Sequence, residues 1–90
     1  LPIKGVFAVE CKLKNQKIFG IANMGTRPTI GGSLPVLEVH LFDFNKNIYS
    51  ERLDIKFLKK IRNEKKFDNL DMLKSQIQKD ISKAKEIIYK

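Results

Sequence analysis

Leu37-Glu38-Val39-His40-Leu41-Phe42-Asp43-Phe44 alternates with a period of two, the repeat of a β-strand. Leu37, Val39 and Leu41 fall on one face, and Glu38, His40, Phe42 and Phe44 on the other. The single histidine and a carboxylate thus share a strand face with two phenylalanines. Two readings stand for Glu38. It forms a cross-strand ion pair with one of the many lysines, or aromatic neighbours strip its water and raise its pKa toward the range useful to a general base.

Upstream, Gly5-Val6-Phe7-Ala8-Val9-Glu10-Cys11-Lys12-Leu13 is a second strand, with Phe7, Val9, Cys11 and Leu13 in phase. After the polar Lys14-Asn15-Gln16-Lys17, Ile18-Phe19-Gly20-Ile21-Ala22-Asn23 returns as the other arm of an antiparallel hairpin. Gly20 inside that run predicts a bulge or the close approach of another backbone or a ligand. The stretch 24–34 holds three of the five glycines and one of the three prolines, and reads as the longest loop of the chain. Within it Pro28 favours an extended Arg27, so Thr26, Arg27, Pro28 and Thr29 form either a flap over a ligand or a plain connection.

Downstream, Asn45-Lys46-Asn47 is a turn signal, and 48–57 reads as a strand with a bulge near Ser50, pairing with the central strand as a second hairpin. The segment 58–67 carries five cations in ten residues and ends on Phe67; it is a solvated connector or an anion-facing edge. From Asn69 the period becomes helical, with Leu70, Leu73, Ile77, Ile81, Ala84 and Ile88 on one stripe and Asp68 or Asn69 as the cap. The expected organisation is one domain over 1–90, with strands within about 5–57, a connector over 58–68 and a helix over about 69–89. The fold class is mainly β: a small antiparallel barrel or α+β sandwich with one C-terminal helix packed on it.

Composition narrows the function classes. Eighteen Lys plus Arg against ten Asp plus Glu leave a net charge of +8, which favours anionic partners or simply a solvated basic surface. A lone Cys11 excludes an internal disulfide and a multi-cysteine metal site, and fits a reducing cytoplasm. There is no membrane-spanning apolar run, and neither a Walker-type phosphate loop nor a dinucleotide fingerprint. The chain opens at Leu1-Pro2 without an initiator Met and is expected to be part of a longer one.

Three words go further. Asn23-Met24-Gly25-Thr26-Arg27-Pro28-Thr29, Leu37-Glu38-Val39-His40-Leu41-Phe42-Asp43-Phe44 and Arg62-Asn63-Glu64-Lys65-Lys66-Phe67-Asp68-Asn69-Leu70 resemble, in order and spacing, the riboflavin kinase domain found in the C-terminal half of bacterial bifunctional riboflavin kinase and FAD synthetases. The resemblance implies a six-stranded Greek-key β-barrel with a C-terminal helix that passes the γ-phosphate of ATP to riboflavin, giving FMN. It implies that Glu38 is the catalytic base, that Leu41, Asp43 and Tyr49 contact ATP, and that Arg62, Lys65 and Phe67 bind the flavin nucleotide. Thr26, Arg27, Pro28 and Thr29 are similar to a flap over the site.

The family also carries a Pro-Thr-x-Asn word ahead of the strand that begins near Gly5. The Pro28-Thr29 pair here is followed by Ile30 and Gly31, so the ligands of the Mg2+ that accompanies ATP are expected upstream of Leu1, and the 90-residue chain alone is expected to be inactive where its parent is active. An N-terminal adenylyltransferase domain is expected in the parent. No nucleic-acid or membrane partner is expected. The alternatives from composition are an oligonucleotide-binding barrel that stacks bases on Phe42 or Phe44, and a scaffolding module.

Overall fold

The computed structural model describes residues 4–45 and 51–90. The element order is β1 (Gly5–Leu13), β2 (Gln16–Thr29), β3 (Gly32–Leu41), β4 (Leu53–Arg62) and α1 (Leu70–Ile88). The four strands form one antiparallel sheet in the order β3-β2-β1-β4. Three strands run on through tight turns and the fourth returns beside the first, which is a Greek key. Six strands are implied by the family resemblance; the described residues contain four.

β1 organises the sheet because it is apolar on both faces and has a neighbour on each edge. Val6 and Ala8 join Ile21, Phe42 and Ala84 on the side covered by α1. Phe7, Val9 and Cys11 join Ala22 on the opposite side, packed by Met24, Val39, Leu41, Leu53, Ile55 and Phe57. Side chains from both edge strands, β3 and β4, therefore close on one cluster, so the sheet is rolled as in a barrel. Cys11 is fully buried there. Burial, and secondarily the Glu10 carboxylate, push its thiol pKa upward.

The expected second hairpin is not the pairing found. β4 pairs with β1, matching Phe57 to Val9, Ile55 to Cys11 and Leu53 to Leu13. Apolar partners on the open edge of β1 outweigh sequence proximity to β3. The expected bulge near Ser50 lies outside the described residues. Two register shifts occur instead where Leu58 and Ile61 lack a partner on β1. They place Ile61 beside Arg62 on the α1 side, whereas Phe57 faces the interior with its ring centroid 5.1 Å from that of Phe7. The expected connector over 58–68 is accordingly strand as far as Arg62. Lys59 and Lys60 are exposed members of that paired strand, and Lys65 and Lys66 follow it.

The expected loop over 24–34 is also strand. β2 and β3 stay in register from Gly20↔Leu41 to Thr29↔Gly32, around a two-residue turn with Gly31 at φ 85. β1 accompanies β2 only as far as Met24, so beyond it β2 pairs with β3 alone among the described residues. A strand with one free edge tolerates Pro28, which explains why loop composition here forms a hairpin arm. Gly20 fulfils its expected role: a Cβ there would lie 2.2 Å from the His40 carbonyl oxygen.

Asn69 caps α1, its Oδ1 accepting from the Met72 amide at 2.9 Å. Leu73, Ile77, Ile81, Ala84 and Ile88 face the sheet, while Leu70 is exposed. The same face carries Asp80, 2% exposed. Arg62 at the end of β4 reaches it with two nitrogens: Nε donates to Oδ1 at 2.8 Å and Nη2 donates to Oδ2 at 2.8 Å. Gln76 Nε2 donates to the same carboxylate at 3.0 Å. This ion pair ties α1 to the edge of the sheet.

Gly20→Ala is expected to cost about 2 kcal/mol or more in a urea melt, because backbone must move to admit the methyl. Arg62→Leu should cost about 3 kcal/mol, since it strands a buried carboxylate. Arg52→Ala, at a pair whose side chains are 88% and 57% exposed, should change stability by less than about 1 kcal/mol.

Candidate active site between the helix and the sheet

A cleft of about 470 Å³ opens between α1 and the sheet, a size suited to a small-molecule ligand. Its apolar wall is Val6 and Ile21 from the sheet with Leu73 and Ile77 from the helix. Its polar groups are Glu38 and His40 from β3, Asn23 from β2, Arg62 from β4, Glu64 and Lys65 from the segment after β4, and Asp80. Val39 and Phe67 complete the lining. Topology explains the convergence. Glu38 sits opposite Asn23 in the β2–β3 ladder, with its side chain on the α1 side, and the bulged end of β4 turns Ile61 and Arg62 toward that same side.

Glu38 is exposed and has no ion-pair partner within 4 Å among the described residues. Among the described residues no lysine pairs with it, and its side chain stays open to water rather than enclosed by aromatic neighbours. Phe42 is 7% exposed and packs in the α1-side cluster, with Lys85 Nζ 5.4 Å from its ring centroid. Its ring is thus spent on the core, which also removes it as a base-stacking platform. His40 meets Phe42 edge-on at 6.0 Å between ring centroids.

Phe67, also in the lining, has two cations near its ring. Arg62 Cζ is 5.8 Å and Lys65 Nζ 5.7 Å from its ring centroid. Arg62 Nη1 donates to the Asn63 carbonyl at 3.0 Å. The three residues of the third sequence word are therefore one connected group.

Other expected site residues lie elsewhere. Leu41 is the last residue of β3 and packs in the barrel interior. Asp43 is past the end of that strand, exposed, in a turn with φ 52. Tyr49 lies outside the described residues. Thr26 and Arg27 border a smaller recess of about 90 Å³, shared with Asn23, Gly25, Glu38 and Glu64, so the arm adjoins the cleft through the two glutamates. Pro28 and Thr29 line neither cavity.

Glu64, Asp80 and Asn23 carry polar lining that sequence reasoning gave no role. Asp80 was signalled by its spacing, three residues after Ile77 and four before Ala84, which puts a charge on the apolar stripe. Glu64 is signalled by Gly25. Its Oε2 would lie 2.2 Å from a Cβ at that position, so the glycine leaves the carboxylate room. Among the described residues no three His, Cys, Asp or Glu side chains converge as a metal-binding group. None of the described helices is long and apolar enough to cross a membrane.

The sequence matches the family described as Flavokinase: Riboflavin kinase over residues 1–88. It is 58% identical over 85 residues to a bifunctional riboflavin kinase/FMN adenylyltransferase of Haemophilus influenzae, covering 93% of this chain and 28% of that protein. The Escherichia coli K12 protein of the same description is 46% identical over 86 residues, 94% of this chain and 28% of its own length. An RNA-binding riboflavin kinase, RibR of Bacillus subtilis, is 44% identical over 79 residues, 87% of this chain and 34% of its own length. A crystal structure of a Streptococcus pneumoniae protein described as a macrolide-efflux protein superposes with a TM-score of 0.81 at 36% identity, over 89% of this chain and 26% of that one. The chain thus spans only 28% of the two bifunctional relatives. With the family match running over residues 1–88, this chain belongs to the riboflavin kinase family.

Proposed function

We propose that this chain is the flavin-phosphorylating part of a protein that transfers the γ-phosphoryl group of ATP to the ribityl 5′-hydroxyl of riboflavin, releasing ADP and FMN. The observation that carries this reading is the cleft itself. It brings Glu38 of β3 to the same space as Arg62, Lys65 and Phe67, which follow it in the chain only at the end of β4 and beyond. Phosphoryl transfer requires a positioned alcohol and compensated phosphate charge, and little covalent help. Glu38, exposed and unpaired among the described residues, accepts the hydroxyl proton as the oxygen bonds to phosphorus and the bond to the ADP oxygen breaks. Arg62 and Lys65 supply N–H donors to the flavin nucleotide, and Phe67 with the Val6, Ile21, Leu73 and Ile77 wall supplies apolar surface.

ATP enters as its Mg2+ complex. The described residues hold no three-ligand set for that ion. Leu41, Asp43 and Tyr49 mark the nucleotide side. Since the Leu41 side chain packs inward, only its backbone is free to meet the nucleotide. Thr26, Arg27, Pro28 and Thr29 act as a flap in the form of a hairpin arm, whose inner end borders the site. The parent joins this unit to an adenylyltransferase, as the names of its relatives suggest, and works in the cytoplasm. One relative is named RNA-binding, so the expectation of no nucleic-acid partner gains no support from the comparisons.

In the full-length protein, Glu38→Gln should lower ATP-dependent FMN formation by about a hundredfold or more. Loss of a charge that acts only in the transition state should leave the Kd for FMN within about threefold. Wild-type turnover in that variant would overturn the base assignment.

A further inference from the structure

Asp80 is the one buried charged residue among those described, and the mechanism above gives it no part. It belongs to α1, whereas the flavin-side residues lie at the end of β4 and just after it. Its carboxylate is fully occupied: Oδ1 accepts from Arg62 Nε and Gln76 Nε2, and Oδ2 accepts from Arg62 Nη2 and, at 3.0 Å, Nε. A guanidinium carries five N–H donors in a rigid fork. Nε and Nη2 each give one to Asp80, and Nη1 gives one to the Asn63 carbonyl. One N–H on Nη1 and one on Nη2 remain, on a side chain that lines the cleft.

We infer that Asp80 is a positioning residue: with Gln76 behind it, it holds the Arg62 guanidinium so that its remaining donors are presented to the flavin nucleotide. The inference rests on the riboflavin kinase reading and deepens it. The effect is geometric, because Asp80 cancels the charge of Arg62. Electrostatics alone would have the opposite sign: neutralising Asp80 would strengthen the field on the FMN phosphate and tighten binding. Positioning predicts that binding weakens, because a freed guanidinium must be ordered at the moment of association.

The test is FMN affinity by flavin fluorescence quenching in the full-length protein, with thermal melting of each variant as a check on folding. Asp80→Asn should raise the Kd by about tenfold, the loss of a charge-assisted hydrogen bond's worth of ordering. In an Arg62→Lys background, where no fork remains to be held, the same substitution should change the Kd by less than about twofold. A Kd that is unchanged or lower in Asp80→Asn, or an equal rise in both backgrounds, overturns the inference. Gln76→Ala keeps the carboxylate and loosens it, so about a threefold rise is expected. If Asp80→Asn does not fold, an unchanged Kd in Gln76→Ala overturns the inference. Absence of both FMN binding and ATP-dependent FMN formation in the wild type would instead remove the riboflavin kinase reading itself.

Discussion

Asp80 meets Arg62 at the seam where a helix lies across the edge of a rolled sheet, with the carboxylate almost wholly out of water. Removing two charges from solvent costs several kcal/mol each, and their attraction at best roughly offsets that, so the pair is a poor source of net stability. Its effect is selective. A helix held only by Ile81, Ala84, Ile87 and Ile88 against aliphatic surface could slide or rotate at modest cost. Shifted by one turn, about 5.4 Å, it would part the Asp80 carboxylate from the guanidinium, so the pair favours the observed docking position.

The seam depends in turn on β1. A strand apolar on both faces needs cover on both, and it receives α1 on one side and the inward side chains of the whole sheet on the other. The Greek-key return places β4 on its free edge, and the two register shifts on β4 bring Ile61 and Arg62 to the helix side together. Gly20 lets the His40 carbonyl approach β2 closely, which seats β3 and hence Glu38. Glu38 and the cations Arg62 and Lys65 are therefore placed by neighbours of one strand rather than by the elements that carry them.

Local signals in the chain were readable and distant pairings were not. Alternation marked β1, helical spacing and Asn69 marked α1, and an interrupting glycine marked the approach of His40, since each is written within a few residues. The partner of β4 could not be read, because its apolar positions suit β1 as well as β3. Bulges broke the phase of 58–62, so a paired strand with exposed lysines resembled a connector. Gly, Pro and Thr in the β2–β3 arm resembled a loop because the one-sided pairing that tolerates them is a tertiary fact. For the site, three words pointed to Glu38, Arg62, Lys65 and Phe67, which the fold brings to one cleft. Asp80 and Glu64 were visible as a charge on an apolar stripe and as a glycine with no turn to explain it, but their partners lie across the fold.

The most direct measurement is a crystal structure of the full-length protein with FMN and ADP. The account predicts flavin in the cleft between α1 and the sheet, the ribityl 5′-oxygen about 3 Å from the Glu38 carboxylate, and Arg62 still held at two points by Asp80 while its remaining donors meet the ligand. Flavin bound elsewhere, or an Arg62 that leaves Asp80 to reach it, would contradict the account.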